Sequence, residues 1–147
     1  MAQKIKILFL CTGNSCRSQM AEAWTRLLKG DHFEAYSAGV APKAIDARAI
    51  KAMAEAGLDI SGQKPKDVDT FGNMEFDYVI TLCDNARESC PYFPAETRLI
   101  HRGFDDPPKL TDGTANEEAA MAPYRRVRDE IRAFVESLPE GPMQERT

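Results

Sequence analysis

The sequence predicts an α/β fold: a single-domain three-layer sandwich with a four-stranded parallel sheet and helices on both faces. Three observations lead there. Short β-branched and apolar runs end at turns, as buried parallel strands do. Stretches of helical period alternate with them, which requires right-handed crossovers between parallel strands. The chain has 147 residues, 43% hydrophobic and 29% charged, which suits one domain around one core.

Lys4–Leu10 is β-branched and apolar and reads as the first strand, closed by the turn residues Thr12-Gly13-Asn14. From Ser15 to Lys29 the period becomes helical, with Met20, Ala23, Trp24, Leu27 and Leu28 on one face. Glu34–Ser37 is a shorter strand. A helix follows over Asp46–Ala56, with Ile50 and Met53 inward and Gly57 as its stop. Pro65–Phe71 predicts one or two helical turns. Asp77–Cys83 is a second strongly apolar strand and Thr97–His101 an edge strand. The last helix runs to Leu138 with Tyr124, Val127, Ile131, Phe134, Val135 and Leu138 on one stripe. Thr114 and Glu117 form a capping box at its entry, and Pro123 marks a kink or a second start. The domain is expected to span 1–138, with 139–147 as a loose tail.

Nineteen basic against 23 acidic side chains give a net charge of −4. A nucleic-acid binder is disfavoured, because its affinity depends on a basic face. A small anion needs only a local cluster of donors. The apolar N-terminal run is too short to span a membrane and lacks the cleavage site of a signal peptide. The expectation is a cytoplasmic monomer, in a compartment that keeps thiols reduced. Its four cysteines are then reactive or metal-binding rather than structural. The spacings Cys11-x4-Cys16 and Cys83-x6-Cys90 lack the short knuckles of zinc sites.

Folds of this class bind ligands at the carboxyl ends of their strands, where Cys11 and Cys83 both fall. The loop Cys11-Thr12-Gly13-Asn14-Ser15-Cys16-Arg17-Ser18 joins strand to helix. Successive backbone N–H groups, with Gly13 and the αL-tolerant Asn14, can curve around a tetrahedral anion. The next helix turns its positive end to the same spot, and Arg17 adds a planar fork for two anion oxygens. That field is expected to make Cys11 a thiolate near neutral pH, with Ser18 donating to its sulfur.

This loop, through Ala21 and Glu22, resembles the signature loop of the low-molecular-weight protein tyrosine phosphatase fold, and the order of elements agrees over nearly the whole chain. The resemblance implies Cys11 as nucleophile, Arg17 as oxyanion ligand, and an aspartate before proline as general acid. That aspartate is Asp106 in Gly103-Phe104-Asp105-Asp106-Pro107, with Asp105 as the neighbouring alternative. The segment Thr81-Leu82-Cys83-Asp84-Asn85-Ala86-Arg87-Glu88-Ser89-Cys90-Pro91 is not needed by a phosphatase. It resembles the redox segment of thioredoxin-coupled arsenate reductases of the same fold. This second resemblance implies arsenate as substrate and a three-thiol relay: Cys11 attacks arsenate, Cys83 forms a transient Cys11–Cys83 disulfide, and Cys90 leaves Cys83–Cys90 for thioredoxin to reduce. No tightly bound cofactor and a weak phosphatase side activity are implied as well. Cys16 is assigned no relay role.

Parallel neighbours lie about 4.8 Å apart, within the roughly 4.4–6.8 Å that a disulfide needs between Cα atoms. Adjacent first and third strands would therefore let Cys11 and Cys83 meet. Asp84–Ser89 is predicted to form helical turns, loosely capped by Asn85 with Glu88. About 10 Å of helix would then part Cys83 from Cys90, so this segment must unwind for their disulfide. Pro107-Pro108-Lys109-Leu110 and Ser37-Ala38-Gly39-Val40-Ala41-Pro42 offer no aromatic wall, which suits a narrow inorganic oxyanion. The resemblance also implies a monovalent cation, potassium, held near Asn14, Glu22 and Ser37. The remaining carboxylate falls in Gln63-Lys64-Pro65-Lys66-Asp67, where either a lysine replaces the cation or Asp67 serves. His32 and His101 read as surface residues rather than catalytic bases.

Overall fold

The first strand, β1 (Ile5–Cys11), is covered on both faces, and Ile7 to Leu10 have no exposed surface. Alternating side chains point to opposite faces of a strand. Ile7 and Phe9 accordingly join the larger core with Met20, Trp24, Met53 and Tyr124. Leu8 and Leu10 join a smaller one with Ala38, Val79 and Ala86. A computed structural model describes residues 4–91, 93–111, 113–114 and 116–138 of this chain. The tail expected at 139–147 lies outside the described residues.

The sheet is four-stranded and parallel, in the order β2-β1-β3-β4, with β2 Phe33–Gly39, β3 Tyr78–Thr81 and β4 Arg98–His101. The expected adjacency of the first and third strands holds, Leu10 pairing with Thr81, and β4 is an edge as expected. Helices α1 (Arg17–Lys29), α2 (Ala47–Glu55) and α5 (Glu117–Glu136) pack against one another over the larger core. The other face is covered by a 3-10 turn at Val68–Phe71 and by the five-residue α3 (Asp84–Glu88).

Several local expectations change. β2 runs to Gly39 rather than stopping at Ser37, because its far end pairs with Cys11. Leu27 is exposed rather than part of the buried face of α1. The stop of α2 is as read: Gly57 takes φ 91°, a conformation that glycine adopts freely. α3 is capped by Cys83, whose sulfur accepts from the Ala86 N–H, and not by Asn85. α5 is capped by Asn116, which accepts from the Ala119 N–H, and not by Thr114. Pro123 neither divides α5 nor starts a second helix; Tyr124 and Val127 beside it are anchored in the core. A short helix, α4 (Pro107–Leu110), was not expected from sequence; its two prolines occupy first-turn positions, where a missing N–H is no loss.

Candidate active site

β1 delivers Cys11 to the carboxyl edge of the sheet, and the chain turns there into α1. The turn is held from outside. The carbonyls of Cys11, Thr12, Gly13 and Ser15 accept from the N–H groups of Val40, Ala41, Lys43 and Asp46 at 2.8–3.1 Å. The Asn14 carbonyl accepts from Gln19 Nε2 at 2.8 Å. These bonds draw the carbonyls outward, as an anion cradle requires of its loop. Asn14 is the residue in the left-handed region, at φ 50°, rather than Gly13. At Gly13 a Cβ would come within 2.9 Å of the end of the Lys43 side chain, which is flexible enough to move aside. Gly39 is the glycine the loop needs for space, since its Cβ would lie 2.6 Å from the Thr12 carbonyl oxygen and 2.9 Å from the Asn14 nitrogen, both backbone.

Asn14 is the hub of the loop. It donates to Ser18 Oγ at 2.8 Å and Ser37 Oγ at 3.0 Å, and accepts from the Lys66 N–H at 2.8 Å and from Gln19 at 3.1 Å. The expected Ser18–sulfur bond is not among the hydrogen bonds of the described residues; Ser18 Oγ accepts from Asn14 instead. Asn14→Ala strands several buried partners and is expected to cost on the order of 3 kcal/mol, read by urea unfolding.

Glu22, buried, accepts from Ser37 Oγ at 2.5 Å and pairs with Arg26 at 2.6 Å, with the Lys66 ammonium 3.9 Å away. Asp67 is committed elsewhere, capping the 3-10 turn through the Asp69 N–H. The oxygens expected to hold a monovalent cation are thus engaged by donors, and the cationic groups beside Glu22 are Lys66 and Arg26. These residues do not fit a potassium ion. Burial lowers the Lys66 pKa, with Glu22 opposing that shift.

Arg17 is buried at the first turn of α1, which has no side-chain cap. Its NH1 donates to the Phe104 carbonyl at 2.9 Å, and its NH2 lies 3.6 Å from Asp106 Oδ1. Its buried Nε has no protein acceptor among the described residues, leaving an N–H for the two-pronged anion contact. Asp105 is turned away and bonded to Arg126 of α5 at 2.9 Å. Asp106, half-exposed, is therefore the carboxyl that faces the arginine. A cavity of about 500 Å³ opens here, lined by Arg17, Cys83, Asp84, Asp106, Lys109 and Leu110 among others. Apart from the largely buried Phe104, no aromatic side chain lines it.

The Cys11 and Cys83 side chains share a hydrogen bond. The Cys83 sulfur is also 3.2 Å from the Thr12 hydroxyl and 3.4 Å from the Ala86 N–H. The bond from Cys11 is the largest influence on it; with the Thr12 and Ala86 donors and nearby Arg17, it pulls the Cys83 pKa down to about 5 against the opposing effect of burial. Cys11 shifts the other way. Its bond to Cys83 and its burial raise it well above the ordinary thiol, although Arg17 opposes them. The two thiols thus shift in opposite directions, and that of Cys11 is opposite to the one expected from its loop. Burial raises Cys16 as well, with Asp46 adding to it, consistent with a packing residue. Cys90, half-buried beyond α3, is raised by burial.

A depressed pKa means that the thiolate fraction of Cys83 grows as pH rises through about 5. Alkylation of Cys83 by iodoacetamide should climb between pH 4 and 6 and be flat by about 7. Cys16 should resist throughout that range, as peptide mapping would show. His101 is less of a surface residue than expected: it bonds Thr81 Oγ1 at 2.8 Å and lies 3.3 Å from Asp84. His32 is exposed.

Sequence reasoning missed Gly39 and the link from Thr12 to Cys83, and it left open whether a lysine or Asp67 stands by Glu22, where the structure places Lys66. Each depends on a contact between segments distant in the chain, and no local pattern marks it.

Comparison with known proteins places residues 6–141 within the model of the low molecular weight phosphotyrosine protein phosphatase family. The arsenate reductase of Halalkalibacterium halodurans is 46% identical over 134 residues, covering 91% of this chain and 94% of that one. The arsenate reductase of Bacillus subtilis is 47% identical over 131 residues, covering 89% and 91%. A solved arsenate reductase in the phosphate-binding state superposes with a TM-score of 0.70 at 31% identity, covering 91% of this chain and 95% of that one.

Proposed function

The chain belongs to the low molecular weight phosphotyrosine protein phosphatase family, and within it we propose that this protein is an arsenate reductase. The supporting observation is the second thiol. Cys83 stands beside Cys11 at the mouth of an anion loop, its sulfur 3.2 Å from the Thr12 hydroxyl and lining the same cavity as Arg17. A phosphatase has no use for a nucleophile there; a reductase must have one.

The relay runs as follows. Arsenate enters the loop of Thr12, Gly13, Asn14, Ser15, Cys16 and Ser18, and its oxygens take the backbone N–H groups and Arg17. The Cys11 proton passes to an oxygen of the arsenate dianion as the Cys11 sulfur attacks arsenic. Asp106 gives its proton to the departing oxygen, which leaves as water. The Cys83 thiolate then attacks the Cys11 sulfur. The S–As bond breaks with its electron pair on arsenic, which goes from As(V) to As(III), and arsenite leaves. The two sulfurs, each oxidised by one electron, remain as a Cys11–Cys83 disulfide. Cys90, as thiolate, attacks Cys83, forming Cys83–Cys90 and releasing Cys11 as thiolate. A dithiol protein, thioredoxin, reduces the last disulfide by exchange. No resident cofactor takes part, and the relay needs the reducing conditions of the cytoplasm.

α3 stands between the two sulfurs of that final disulfide: Cys83 is its N-cap and Cys90 lies beyond its C-cap Ser89. It must unwind for them to meet, because a wound segment of that length spans about 10 Å. Amide exchange in 84–89 is expected to quicken on oxidation; equal rates in reduced and oxidised protein would refute the unwinding.

Lys66 with Arg26 supplies the charge that potassium would bring to Glu22. Replacing KCl by choline chloride should leave stability and turnover unchanged, whereas Lys66→Met should lower the melting temperature and make turnover respond to potassium.

The deciding experiment incubates reduced protein with arsenate, thioredoxin, thioredoxin reductase and NADPH. Arsenate-dependent NADPH oxidation is expected. Its absence from folded, reduced protein would sink the proposal. Weak hydrolysis of small phosphate monoesters is also expected, since phosphate has the same tetrahedral shape.

A further inference from the structure

A hydroxyl carries one proton, and its partners fix where that proton points. The Thr12 hydroxyl has two partners, the Cys83 sulfur at 3.2 Å and the Asn85 side-chain nitrogen at 3.1 Å. An amide NH2 group only donates. The Thr12 oxygen therefore accepts from Asn85, and its own proton is left for the sulfur. We propose that Asn85 is a positioning residue for the thiol relay, fixing the Thr12 hydroxyl as a donor to Cys83. This rests on the reading that Cys83 attacks the Cys11 sulfur.

The placement suits the sequence of steps. Asn85 is the second residue of α3, and Cys83 is that helix's cap. While α3 is wound, the sulfur receives one donor from its own helix, Ala86 N–H, and one from across the cleft, Thr12. Unwinding α3 to form the Cys83–Cys90 disulfide carries Asn85 away from Thr12. Both donors are thus present while Cys83 is the attacking thiolate. Both are withdrawn once its sulfur is neutral and bonded. The charged and titratable groups around this sulfur are Cys11 on β1, Arg17 on α1, Asp84 on α3, and Asp106 and Lys109 across the cavity. Asn85 itself is neutral, so it acts on Cys83 through Thr12 and not by its own charge.

A double-mutant cycle with Asn85→Asp and Thr12→Val tests this. A carboxylate at 85 accepts the Thr12 proton and turns it from the sulfur; it also adds a negative charge. The readout is the pH dependence of iodoacetamide labelling at Cys83, followed by peptide mass in reduced, arsenate-free protein. With Thr12 present, Asn85→Asp should raise the midpoint by about one pH unit. With Thr12→Val also present, it should raise it by less than half as much, the charge alone remaining. Equal shifts in both backgrounds, or none in either, would overturn the proposal. Asn85→Ala guards against misfolding, since alanine is the better helix former. It should lower labelling at pH 5.5 about two- to fivefold while amide exchange in α3 is unchanged; unchanged labelling counts against the proposal. Arsenate turnover by the unaltered protein is measured separately, so failure of the wider reading is told apart from failure of this one.

Discussion

Cys83→Ser is expected to abolish arsenate-dependent NADPH oxidation, to below about one-thousandth of the parent rate. A serine hydroxyl can neither attack the Cys11 sulfur at neutral pH nor form a disulfide. Arsenic bound to Cys11 then has no route to As(III), and the S–As adduct either persists or hydrolyses back. Hydrolysis of phosphate monoesters should survive, because that chemistry needs the loop, Cys11, Arg17 and Asp106 and no second thiol. Cys11→Ser should remove both activities. Cys90→Ser should stop turnover after one arsenite per protein, leaving a Cys11–Cys83 disulfide visible by mass spectrometry. Loss of both activities in folded Cys83→Ser would mean that the residue shapes the anion site. Retention of both would mean that the reducing electrons come from elsewhere.

Gly39→Ala is expected to be nearly as damaging from a position that carries no functional group. The added methyl meets backbone: the Thr12 carbonyl oxygen at 2.6 Å, the Asn14 nitrogen at 2.9 Å and the Gly13 carbonyl carbon at 3.0 Å. None of these can swing aside as a flexible side chain would. The anion loop must move off β2, losing the bonds that Val40 and Ala41 donate to it. A cost of about 1–3 kcal/mol is expected from overpacking. The loss of oxyanion binding should be larger still, since cradles of this kind tolerate little displacement. Chemical denaturation and phosphate binding would measure the two effects. Gly57→Ala, on a surface turn with nothing within 4 Å of the added carbon, meets only the backbone cost of its positive φ. It should leave phosphate binding intact.

The paired shifts also bear on stability. The depressed Cys83 pKa contributes stability that grows as pH rises from about 5 towards the ordinary thiol value, because over that range the unfolded chain binds the extra proton. Cys11 and Cys16 are raised and act in the opposite sense above that value, where the unfolded thiols ionise and the folded ones do not. Stability attributable to the cysteines should therefore peak near pH 8–9, as denaturant midpoints across pH would show.

Much of the fold was legible because its determinants are local. Ile5 to Leu10 and Tyr78 to Thr81 are apolar enough to be read as buried strands, and the stripe from Tyr124 to Leu138 has only one way to face a core. Helix ends were harder. Asn116 rather than Thr114 caps α5, and Pro123 is absorbed, because packing of Tyr124 and Val127 decides where that helix lies. At the site, Cys11 and Cys83 could be placed from their positions at strand ends, and Arg17 from the loop that follows Cys11. The choice between Asp105 and Asp106 could not, since only Arg126, on a helix late in the chain, turns Asp105 away.

The sequence by itself determined the strand–helix alternation, the anion loop after the first strand and the thiols needed for a relay. These depend on residue type and short spacing. Tertiary structure decided the hydroxyl that meets the Cys83 sulfur, which cation stands beside Glu22 and why Gly39 must lack a side chain. Each of these is set by distances of 2.5–4 Å between segments tens of residues apart, and local spacing carries no record of such distances.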